Sequence, residues 1–112
     1  MIEFPGGVID LDEDALQAAK RELEEEVGLR SDDWKPLGWI HEAGVTLEAP
    51  GFVFLASKVE KIPNPETDLM DRDLFETIQC EISIFEEMIK SGEITDSATI
   101  AAFCRARLDG YI

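Results

Sequence analysis

The chain has 112 residues, 45% of them hydrophobic and 31% charged, with a formal net charge of −15. That length fits one domain with a single core, read here as residues 1–112. The charge disfavours nucleic-acid and anionic-membrane partners, and no apolar run approaches the roughly 20 residues of a membrane helix.

In chain order, Ile2 to Phe4 is a short extended piece running into the turn Pro5-Gly6-Gly7. A helix is expected from about Asp12 to Val27, because Leu16, Ala19, Leu23 and Val27 recur at helical spacing. Acidic residues crowd its start, where the helix dipole favours them. Gly28 suits a left-handed C-terminal position. A polar turn follows over Arg30 to Lys35. Two strands are expected at about Leu37–His41 and Phe52–Val59, separated by a Gly- and Pro-containing loop from Glu42 to Gly51. Lys61 to Asp73 reads as a long acidic loop, and a strand follows over about Leu74–Ile82. Ser83 and Glu86 have capping-box spacing for a helix to about Lys90. Asp96 or Ser97 is placed to cap a last helix ending near Leu108. The pattern implies an α/β fold, a mixed sheet packed with helices.

Cys80 and Cys104 lack metal-ligand spacing, sit in apolar segments and are expected to be buried free thiols in a cytoplasmic protein. Met1 to Pro5 lack the basic start and apolar stretch expected of a secretory signal. Phe75, Phe85 and Phe103 are expected in the core. Trp34 and Trp39 are expected to pack, with base stacking as the functional option. His41, the only histidine, lies at a strand end beside a Gly loop and is expected to be structural before it is functional.

Chemistry concentrates in the first helix. Glu22, Glu25 and Glu26 are three and four positions apart, so they share one face. Like charges at that spacing destabilise a helix by roughly 0.2–0.5 kcal/mol per pair, so the cluster does not serve stability. Carboxylate oxygens together with water and phosphate oxygens are what Mg²⁺ prefers. Arg21 stands beside the cluster and is placed to orient one carboxylate.

The wider spacing is more specific than the cluster. Gly7, five residues, Glu13, seven residues, then Arg21-Glu22-Leu23-x-Glu25-Glu26-x-Gly28-Leu29 form an ungapped match to the Nudix box. The chain thus resembles the MutT-like Nudix hydrolases over nearly its whole length. The resemblance implies the Nudix fold, a mixed sheet between helices. It also implies Mg²⁺-dependent hydrolysis of a pyrophosphate in a nucleoside diphosphate linked to another group, with Mn²⁺ as a possible substitute. Glu22, Glu25 and Glu26, with the Gly6 carbonyl, are the implied metal ligands. Glu22 and Glu25 are also the implied catalytic carboxylates, with Arg21 beside them. Gly7, Glu13 and Gly28 are implied supports, and Glu13 and Arg21 an ion pair.

Looser motifs are similar to ADP-ribose pyrophosphatases: Glu3-Phe4-Pro5-Gly6-Gly7, the loop Glu42 to Glu48 before Phe52-Val53-Phe54, and the stretch Ile89 to Phe103. They imply ADP-ribose or a similar nucleotide sugar as substrate, with Gly44, Thr46 and Glu48 near it. Asp73, with Asp71 and Glu76 as alternatives, matches an acidic stretch that completes the site in those enzymes, although Asp stands where Glu is usual. Family members normally carry several strands before the box, and only six residues precede Gly7 here. The chain therefore reads as an N-terminally truncated Nudix domain, with a homodimer or partner completing the sheet as one expectation. The alternative function is a catalytically weak or silent domain that binds metal, nucleotide or a partner chain.

Overall fold

Helices begin where side chains supply what the first turn of backbone lacks. In the computed structural model, which describes residues 1–7, 9–41, 51–63 and 77–112, helix α1 spans Ala15–Val27. The Asp14 carboxylate accepts the Gln17 N–H at 2.8 Å, and Gln17 Oε1 accepts the Asp14 N–H at 2.9 Å. This capping box sets the start three residues later than the apolar spacing suggests. Asp10, Asp12 and Glu13 therefore precede the first turn, which itself contains no acid. At the other end Gly28 takes φ 71° and ψ 30°, and its N–H donates to Glu24 O at 3.0 Å. That left-handed position is open to glycine at little cost.

The remaining elements are β1 (Leu29–Arg30), β2 (Asp33–Ile40), β3 (Gly51–Ser57), β4 (Glu60–Lys61), α2 (Ile82–Lys90) and α3 (Ser97–Leu108). The class is mixed α/β, as the sequence implies. Among the described residues, however, the expected single sheet is two separate pairs, β1–β4 and β2–β3. The polar turn expected over Arg30 to Lys35 is instead framed by strand at both ends. Its pairing partner lies 30 residues on: β1 and β4 are antiparallel, with Leu29 opposite Lys61 and Arg30 opposite Glu60.

The strand expected over Leu74–Ile82 is not formed from Thr77 onward, and its first residues lie outside the described ones. Ile82 opens α2 instead. The periodicity of Ile82, Phe85 and Ile89 is helical, and it prevails over the strand preference of isoleucine. The N-cap of α2 is Glu81, without a side-chain bond, so Ser83 and Glu86 form no capping box. Of the two residues expected to cap α3, Asp96 does so, accepting the Thr99 N–H at 2.9 Å.

The chain divides into two compact units. Unit 1 holds residues 1–4, 36–55 and 79–112. Among the described residues, its buried ones are Ile94, Thr99, Ala102 and Ala106. The Thr99 hydroxyl is satisfied, donating to Asp96 Oδ2 at 2.7 Å and accepting the Phe4 N–H at 3.1 Å. Phe85 stacks between Phe4 and Phe103, with ring centroids 5.3 and 4.7 Å away. Phe75 lies outside the described residues. Both cysteines are exposed rather than buried. The buried face of α3 runs through Thr99, Ala102 and Ala106, and Cys104 falls off it.

Unit 2 holds residues 5–35 and 56–78, and therefore every residue of the box from Gly7 to Leu29. Ala18 is the buried residue of α1, while Leu16, Ala19, Leu23 and Val27 are half-buried. The Gly28 carbonyl accepts the Ile62 N–H at 3.0 Å, extending the β1–β4 pairing by one bond. Ser31 adds a second tie, its hydroxyl donating to the Ser57 carbonyl and accepting the Asp33 N–H at 3.0 Å. The C-terminal end of α1 is thus held by chain that follows it by some thirty residues.

Candidate active site

The site is built on α1 and on the turn before it. Arg21 is its centre. Its Nη2 donates to Glu13 Oε1 at 2.7 Å and its Nε to Glu13 Oε2 at 3.1 Å, a two-pronged grip on one carboxylate. Its Nη1 donates to Glu22 Oε1 at 3.0 Å and to Glu25 Oε2 at 3.1 Å. Asp10 Oδ2 stands 3.6 Å from Nε. One cation therefore gathers four acids, which relieves the repulsion that their spacing creates.

Glu13 ties the turn to the helix. Its Oε1 also accepts the Asp10 N–H at 2.9 Å, and its own N–H donates to Asp10 O at 3.2 Å. The Arg21 hydrogen bond, then the backbone bond from Asp10, hold the Glu13 carboxyl below its ordinary value of 4.5. The same pairing with Glu13 pushes the Arg21 guanidinium further up, so it stays charged at any working pH.

The turn touches the helix at two further places. The Gly6 N–H donates to Glu26 Oε2 at 3.1 Å. At Gly7 an added Cβ would overlap the Glu22 carboxylate, whose Oε2 would stand 2.8 Å away. Only glycine lets that carboxylate lie against the backbone as it does. Side-chain exposure separates the acids: Glu13 and Glu22 are 16% and 14% exposed, Glu25 40%.

The structure thus brings together Gly6, Gly7, Glu13, Arg21, Glu22, Glu25 and Glu26, and places Gly28 at the helix end. Gly44, Thr46, Glu48, Asp71, Asp73 and Glu76 lie outside the described residues. His41 is exposed, just past the end of β2. The Trp34 indole N–H donates to Ser31 O at 2.6 Å, and Trp39, 52% exposed, meets the Phe52 ring edge-on at 5.0 Å. Asp10 is the site residue that sequence reading missed. Its position three before Glu13, at a tight turn, was the available signal.

The donor set suits a divalent cation. Glu22 and Glu25 converge on one nitrogen, and Glu26 sits at the Gly6 amide, all oxygen ligands of the hard kind. Among the described residues no group of three or more acidic, histidine or cysteine side chains closes into a cage. Mg²⁺ does not require one, since it usually takes one or two carboxylates and completes its shell with water and phosphate oxygens. No described helix is long and apolar enough to cross a membrane.

A model of the NUDIX domain matches residues 1–98, a span that includes the whole of this site. No curated protein matches the chain.

Proposed function

Because the chain belongs to the NUDIX domain family, we propose that it is a Mg²⁺-dependent pyrophosphohydrolase acting on ADP-ribose or a similar nucleotide sugar. The observation that carries this reading is the convergence of Glu22 and Glu25 on Arg21 Nη1, beside a glycine turn held by Glu26. The nucleotide-sugar class is supported by the motifs around the box, Glu3 to Gly7, Glu42 to Glu48 and Ile89 to Phe103.

Glu22, Glu25, Glu26 and the Gly6 carbonyl would hold the metal. When bound, a divalent cation neutralises charge that builds on the phosphate oxygens. The chain's own residues do the rest. Glu22, close to the backbone at Gly7, takes the proton of the attacking water. Water adds to one phosphorus and the bridging P–O bond breaks, giving two phosphate monoesters. Arg21 and Glu13 keep the carboxylates in place. By resemblance, Asp73 is assigned a catalytic role and Gly44, Thr46 and Glu48 substrate binding, and all four lie outside the described residues.

The test is phosphate release from ADP-ribose with Mg²⁺, coupled to a phosphatase specific for monoesters. Wild type releases phosphate, and Glu26→Gln loses about 100-fold or more. Equal release by the two proteins would remove the reaction from the box. No release from wild type on ADP-ribose, with release from another diphosphate, would overturn the substrate and keep the chemistry.

A further inference from the structure

Two sets of Arg21 bonds face different acids, with Asp10 Oδ2 also 3.6 Å from Nε. Nε and Nη2 are committed to Glu13, at 3.1 and 2.7 Å. Nη1 bridges Glu22 Oε1 and Glu25 Oε2, at 3.0 and 3.1 Å. A cationic nitrogen is bonded to oxygens of two of the carboxylates that would hold a divalent cation. A guanidinium cannot escape that competition by losing its proton.

Resting on the metal-site reading above, we infer that Arg21 is a built-in competitor for the metal, exchanging its Nη1 contacts for it while Glu13 retains the rest of the guanidinium. Glu13 then sets the strength of the competition. Its negative charge offsets that of Arg21 and weakens the field that opposes an incoming cation. Two neighbouring residues of opposite charge thereby act in opposite directions on metal affinity. A role confined to positioning predicts something else: loss of either partner loosens Glu22 and Glu25, and both losses weaken binding.

The experiment is Mn²⁺ binding followed by electron paramagnetic resonance, on the full chain without substrate. Wild type is compared with Arg21→Gln, Arg21→Lys and Glu13→Gln, each first shown to be folded by circular dichroism. The inference expects Arg21→Gln to bind roughly 30-fold tighter, the scale of one unit charge acting on a divalent ion at about 4 Å in water, and Glu13→Gln to bind weaker by a smaller factor. Arg21→Lys stays near wild type. Weaker or unchanged binding by Arg21→Gln overturns it. If Arg21→Gln does not fold, tighter or unchanged binding by Glu13→Gln does so instead. Wild type that binds no Mn²⁺ removes the metal-site reading itself. Wild type that binds, with both variants weakened, leaves that reading intact and removes only the competition.

Discussion

Gly7 and Glu13 show how single residues shape this site without contributing ligands. At Gly7 the missing side chain is the functional property. Gly7→Ala leaves an exposed turn otherwise unchanged, and stability should move by less than about 1 kcal/mol. The Glu22 carboxylate must shift, however, and misplacement of a reacting group by about 1 Å costs on the order of 100-fold in rate. Urea unfolding and kcat/KM measured on the same preparation check the pair of expectations. A variant with full activity would show that the carboxylate has room to spare.

Glu13 carries a pH signature. Its folded-state value lies below 4.5 because Arg21 and the Asp10 amide favour the charged form. The carboxyl therefore stays ionised in the folded chain at acidity where an unfolded chain protonates it. Its contribution to stability is complete above the unfolded value and is lost as pH falls through the lower folded one. Urea midpoints of wild type and Glu13→Gln, taken in chelator, should differ by a constant amount above about pH 5 and draw together below the 4.5 of a free carboxyl. A gap that persists unchanged to pH 3 would assign the effect to packing.

At the scale of elements, α1 is defined at both ends by side-chain chemistry that could be read in advance. Gly28 was legible because a left-handed cap needs glycine. The capping box was present as Asp14 and Gln17, but the nearby acids of the same kind obscured which one began the helix. Gly28→Ala should cost about 1 kcal/mol, the penalty of a Cβ in the left-handed region, read as a lower urea midpoint with an unchanged slope. No loss would mean that the helix end relaxes to another conformation. The strands were less legible. β1 and β4 are two residues each, and neither has enough alternation to declare itself. What makes them strands is each other. Similarly, the start of α2 was set too late because Ile82 suits a strand, and the aromatic partner that favours the helix, Phe103, lies on α3. The face of three glutamates was legible for the opposite reason, since i, i+3 and i+4 spacing is local. Arg21 as the shared partner of Glu13, Glu22 and Glu25 required distances.

At the scale of the whole molecule, the chain separates into a unit that carries the box and a unit that carries most of the buried side chains among the described residues. Ile94, 1% exposed, is the largest of these. Ile94→Ala should destabilise by roughly 2–5 kcal/mol, as a buried cavity does, whereas Leu108→Ala, at an exposed position, should change stability by less than about 0.5 kcal/mol. Thermal unfolding followed by circular dichroism compares them, and equal shifts would contradict the burial. The acidic composition, a net −15, concerns the same scale. It argues for solubility and against polyanionic partners, and by itself did not locate the site.

The two tryptophans fall one in each unit, and this gives the protein a pair of native optical probes. Trp34 is half-buried in the unit that carries the box, with its indole N–H held by the Ser31 carbonyl. Trp39 is largely open to water in the other. Emission from the first reports on a fixed, hydrogen-bonded indole and from the second on a hydrated one. With Trp39→Phe, the remaining tryptophan fluorescence follows the start of β2, and quenching by iodide or acrylamide measures how open that segment is. Titrating a cation or a diphosphate against that signal tests whether occupation of the site is felt in the segment after α1, without any label attached to it.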